Sequence, residues 1–98
     1  MEIIKTKKES KLVVTLKGQL DSTTSKELET NLKDEIGAVK DIEFDFKKLD
    51  YISSAGLRLL LSYSKTLGGK AHIVVKNSND VLKEIFKVTS FATFATIE

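Results

Sequence analysis

Leu12, Val14 and Leu16 alternate with Val13, Thr15 and Lys17. A period of two marks a strand with one covered face. Ile3 and Ile4 predict a shorter strand before it, over residues 2–6, with Lys7-Lys8-Glu9-Ser10 as the turn and Gly18 as the end of the second strand. From about Thr23 to Gly37 the period changes. Leu28, Leu32 and Ile36 share one face of a helix. Gln19-Leu20-Asp21-Ser22 leads into it, Thr24 and Glu27 have capping-box spacing, and Gly37 stands where the helix would stop.

Alternation returns at Ile42, Phe44 and Phe46, with Glu43 and Asp45 between them. A strand buried on both faces would be apolar throughout. This one has a wet face and a dry face, which predicts helices on one side of the sheet. Asp50 and Tyr51 close the stretch. A helix is expected from about Ser54 to Leu67, with Leu57, Leu60, Leu61 and Leu67 as its apolar stripe and Gly68-Gly69 as its end. Leu59 and Tyr63 fall opposite that stripe, either as ordinary exposed apolar residues or as a small contact patch. Ala71, Ile73 and Val75 predict the next strand. Asn77 or Ser78 caps a third helix with the stripe Val81, Leu82, Ile85 and Phe86, and residues 92–97 supply a last strand. The order is β-β-α-β-α-β-α-β, whose β-α-β steps imply parallel neighbours and right-handed crossovers.

Composition narrows the class. The 98 residues suit one domain, 1–98, with a single core, and the 41% hydrophobic content agrees. Without cysteine there are no disulfides, no thiolate nucleophile and no cysteine-ligated metal, which suits a reducing cytoplasm. No apolar run reaches membrane-spanning length, and the first residues lack a signal-peptide pattern. Lys5, Lys7, Lys8, Lys11 and Lys17 cluster early, but the net charge is only +2. That reads as a solvated edge and not as a nucleic-acid surface.

The candidate chemistry lies in Tyr51-Ile52-Ser53-Ser54-Ala55-Gly56-Leu57. The first N–H groups of a helix lack intrahelical partners, and a serine hydroxyl can accept one of those bonds. Capping needs one of Ser53 and Ser54, which leaves the other hydroxyl at the positive end of a helix. A hydrolase would need a base near Ser54, and His72 is the only histidine. The Gly-x-Ser-x-Gly elbow is missing, as is a phosphate-binding glycine loop. His72 has no cysteine or acidic company in sequence, so neither a metal nor a catalytic site is expected, and no cofactor.

Gly18-Gln19-Leu20-Asp21 before the first helix and Tyr51 to Leu57 at the start of the central one resemble the STAS domain, and within it the bacterial anti-sigma-factor antagonists. The resemblance covers nearly the whole chain. It implies a STAS-like α/β fold, a mixed sheet of four to five strands with helices mainly on one face. It also implies a partner switch and not an enzyme. The unphosphorylated protein binds an anti-sigma factor, often a serine protein kinase, and so frees the sigma factor. Phosphorylation releases the partner, and a phosphatase resets the switch.

In the family pattern Asp-Ser-x-Gly-Leu the acceptor lies two residues before the glycine. Gly56 is that glycine here, so Ser54 is the acceptor position and Ser53 stands where many members carry aspartate. The partner surface implied is Asp21, Ser22, Ser53, Ser54, Gly56 and Arg58. Each also has a plainer reading. Ser54 is a cap instead of an acceptor, Asp21 caps the first helix, Gly56 allows close packing, and Arg58 is an ordinary surface cation. The same fold also serves as a constitutive interaction subunit of transport or sensory assemblies, which is the alternative.

Overall fold

The computed structural model describes residues 1–98. Its elements run β1 (Glu2–Lys8), β2 (Lys11–Leu20), α1 (Ser22–Ile36), β3 (Asp41–Ile52), α2 (Ser54–Leu67), β4 (Ile73–Lys76), α3 (Asp80–Val88) and β5 (Thr96–Ile97), with short 3-10 turns at Lys70–His72 and Phe91–Thr93. The five strands form one sheet in the order β1-β2-β3-β4-β5. β1 is antiparallel to β2, and the remaining neighbours are parallel. Each crossover therefore steps to the next position in the same direction. Right-handed crossovers taken in one direction leave all their helices on one face.

That face is dry. Leu12, Val14, Leu16, Ile42, Phe44, Phe46, Ile73 and Val75 are buried under Leu28 and Leu32 of α1, Leu59, Leu60 and Tyr63 of α2, and Leu82 and Phe86 of α3. Tyr63 stacks on Phe44 at 6.4 Å, and Phe46, Phe86 and Phe91 continue the aromatic series. The opposite face carries the polar residues of the alternation. Glu43 lies between Lys11 (2.7 Å) and Lys76 (3.4 Å) across three strands. Asn77 donates to Asp45 at 3.0 Å.

The structure corrects several boundaries. β2 does not end at Gly18. It passes through that residue at φ +113° and continues to Leu20. β3 runs past Phe46 to Ile52 because two register shifts against β2 each admit an extra β3 residue. Such bulges change the inward phase, so beyond Phe46 the buried residues are Leu49 and Ile52, where strict alternation fails. β1 extends to Lys8, so only Glu9-Ser10 form the turn. The first capping box is Asp21 with Thr24, not Thr24 with Glu27. Gly37 follows α1 in the right-handed region, so no left-handed stop is needed there. Gly68 does take the left-handed form, φ +105°, at the end of α2. Ala71 lies in a 3-10 turn instead of β4, Asn79 caps α3, and Val81 is exposed.

The largest correction concerns α2. Leu59 and Tyr63 are buried, at 8% and 5% exposure, and form no contact patch. Leu57, Leu61 and Leu67 are only partly covered. The inward face of α2 is Gly56, Leu59, Leu60, Tyr63 and Ser64. Leucine occupies several sides of this helix, so its own period does not single out the buried one.

Candidate functional site

β2 and β3 end side by side, with Gln19 opposite Tyr51 and Leu20 opposite Ile52. Each strand runs directly into a helix, so the N-termini of α1 and α2 emerge next to each other. The Ser53 N–H donates to the Leu20 carbonyl at 2.8 Å and ties the two turns together. Asp21 caps α1. Its carboxylate accepts from the N–H groups of Thr24 (2.9 Å) and Thr23 (3.0 Å), and its own N–H donates to the Thr24 hydroxyl at 2.8 Å. The bonds that the carboxylate accepts, from the Thr24 amide first and the Thr24 hydroxyl (3.1 Å) next, hold the Asp21 carboxyl below its ordinary range.

The two serines divide the work at α2. Ser53 is extended, φ −90° and ψ 174°, and its hydroxyl accepts from the Gly56 N–H at a long 3.4 Å. Ser54 is the first helical residue. It is exposed, and its hydroxyl makes no hydrogen bond within the chain. Gly56 faces inward and is buried. A Cβ there would lie 2.8 Å from Ile52 Cγ1 and 2.9 Å from both Leu20 Cγ and the Leu20 carbonyl oxygen. The glycine therefore sets how closely α2 approaches the strand ends. It presents no surface to a partner.

Arg58 is exposed, one turn beyond Ser54, and borders two depressions. On one side, Leu57 and Leu61 of α2 face Phe91 and Phe94 across a narrow apolar groove. On the other, a polar cleft of about 440 Å³ separates α1 from α2. Ser22, Ser25 and Lys26 line it from α1, with Ala55 and Ser62 on the α2 wall.

The STAS domain model matches residues 2–98. The chain belongs to the STAS domain family. BtrV of Bordetella bronchiseptica, a protein assigned in its name to the anti-sigma factor antagonists, is 29% identical over 93 residues, spanning 93% of this STAS chain and 80% of BtrV. An anti-sigma factor antagonist from Mycobacterium paratuberculosis has the same fold at TM-score 0.83 and 18% identity, over 97% of this chain and 84% of its own. SpoIIAA resembles it in two forms. The unphosphorylated one gives TM-score 0.76 and 19% identity, over 99% of this chain and 87% of its own. The phosphorylated one, from Bacillus, gives TM-score 0.75 and 20% identity, over 99% and 91%.

Of the residues singled out in the sequence, the STAS fold brings Asp21, Ser22, Ser53, Ser54 and Arg58 to one end of the sheet, with Gly56 beneath them. Sequence reasoning missed the cleft. Its only local sign is that Ser22 and Ser25 lie three apart, on one side of α1. His72 pairs with Asp41 at 2.9 Å in a turn away from this end, and no group of acidic or histidine side chains is spaced to hold a metal ion.

Proposed function

We propose that this STAS domain is an anti-sigma-factor antagonist whose binding is controlled by phosphorylation of Ser54. The unphosphorylated form binds an anti-sigma factor that is also a serine kinase, and so frees the sigma factor. Phosphorylation by that kinase releases the partner, and a phosphatase restores binding. The chain works in the cytoplasm by binding and not by catalysis, through a surface made of Asp21, Ser22, Ser53, Ser54 and Arg58. The likeness to BtrV and SpoIIAA supports the class. The observation that carries the switch is the division of labour between the serines. Ser53 takes the cap, so the exposed Ser54 hydroxyl has no structural duty to lose.

Phosphate on Ser54 would add ~1.5 to 2 negative charges and three acceptor oxygens. At a helix N-terminus these meet unpaired N–H groups and the positive end of the dipole, where an exposed anion gains ~0.3–1 kcal/mol. The isolated domain is therefore left intact, and the effect falls on the partner. Loss of about 1.4 kcal/mol at the interface weakens binding about tenfold.

Ser54→Ala should fold normally and keep its partner. Ser54→Asp should keep its melting temperature and bind at least about tenfold more weakly. Calorimetry with the cognate anti-sigma factor, beside thermal melts, makes the comparison. Equal affinity of the two variants, with no phosphate transfer from the kinase and ATP, would favour the constitutive subunit.

A further inference from the structure

The cleft between α1 and α2 has features the switch itself does not require. Ser25 lines it and is only 7% exposed, yet its hydroxyl has no hydrogen-bond partner. Buried hydroxyls are normally paired with protein or ordered water. The Ser25 Oγ is sealed beneath the cleft wall, so a ligand there reaches it through a turn of the side chain. Lys26 on one wall and Arg58 on the other are both exposed, and neither joins an ion pair of the chain. Glu29 is the one carboxylate among the lining residues, which leaves the cleft with a positive balance. The N-termini of two long helices open at the same end. The volume, about 440 Å³, far exceeds the ~10–15 Å³ that holds one water.

The geometry points to a phosphoryl-binding site in this cleft, formed by Lys26 and Arg58 from opposite walls with the Ser25 hydroxyl as a further donor. Two sources can supply the group. One is a phosphate carried on Ser54, which adjoins Ala55 of the cleft wall and lies one turn from Arg58. The other is free phosphate. The first source rests on the switch proposed above, and the second does not.

Two arms separate them, and neither needs a kinase or a partner. In the first, inorganic phosphate is titrated into the isotope-labelled, unphosphorylated chain at constant ionic strength. The amides of Ser22, Ser25, Lys26 and Arg58 should shift together and saturably. Lys26→Gln or Arg58→Gln should weaken the response roughly two- to fivefold. In the second, phosphoserine is installed at position 54 during translation. The same amides should shift without added phosphate, and Lys26→Gln should abolish the shift at Ser25.

Response in the first arm alone assigns the site to free phosphate, and response in the second alone to the phosphorylated chain. Ser25→Ala, with its melting temperature unchanged, should weaken phosphate binding in the first arm, or shrink the Lys26 and Arg58 shifts in the second, whichever arm responds. Unmoved Ser25 and Lys26 amides in both arms overturn the site, as do shifts indifferent to the Lys26 and Arg58 substitutions. Because the Ser54→Ala and Ser54→Asp affinities are measured separately, failure of the cleft and failure of the switch are distinguishable.

Discussion

Gly56 shows how one atom fixes the position of a helix. In the interior of a helix, alanine is ordinarily better than glycine by ~0.5–1 kcal/mol. Here an added Cβ meets Ile52, Leu20 and, at 2.9 Å, the Leu20 carbonyl oxygen. That oxygen also accepts the Ser53 N–H, so it cannot retreat without straining the joint between the two turns. Overpacking of this kind costs ~1–3 kcal/mol and outweighs the helix preference. Gly56→Ala should therefore lower stability, measured as the urea midpoint. An unchanged or raised midpoint would mean that α2 can slide outward freely. Partner affinity should fall as well, because Ser53 and Ser54 move with the helix start.

At the scale of elements, α2 and β3 carry the most informative departures. Leu59 packs inward although its neighbours at Leu57, Leu60 and Leu61 leave several faces apolar. Leu59→Ala should then cost ~2–5 kcal/mol in chemical denaturation, the range of a buried leucine, and not the near-zero cost of a contact patch. β3 also holds the ionic seam of the open face. The hydrogen bond from Lys11, followed by that from Lys76, keeps the Glu43 carboxyl below its ordinary range against the opposing effect of burial. A group whose folded value is depressed adds stability at neutral pH. That contribution is lost as pH falls through the folded value. Glu43→Gln should therefore lower the urea midpoint near neutrality and have a smaller effect in acid, below the usual carboxylate range. The same deficit at both pH values would point to lost packing instead of lost charge.

For the whole molecule, the sequential sheet places its most and least protected parts at predictable positions. β3 lies at the centre, with its inward side chains in the core. β5 is two residues long and pairs only with β4. β1 forms the other edge, where exposed lysines discourage pairing with further strands. Lys5 fastens that edge to α1 by bonds to the Asn31 carbonyl (3.0 Å) and Glu35 (2.7 Å). Amide exchange should be slowest for Phe44 and Val14 and fastest for β5, with β1 between them. β5 amides as protected as those of β3 would require a second chain or segment covering that edge.

The sequence determined the order of elements, the one-sided sheet and the stretch where the site lies. These rest on local periodicity and on crossover handedness, which act wherever the chain happens to be. It also named Ser53 and Ser54 together, but only the backbone assigned the cap, because either hydroxyl could accept the bond until the ψ of Ser53 aimed its own at Gly56. The end of β3 was illegible because bulges shift the inward phase, and a bulge exists only against a paired strand. The buried face of α2 was misread for a related reason. A helix with leucines on several sides has no preferred face until α1 and the sheet provide one. The cleft left little trace in the sequence beyond the spacing of Ser22 and Ser25. Its walls come from helices separated in sequence by the whole of β3, and only the parallel pairing of β2 with β3 sets their N-termini side by side.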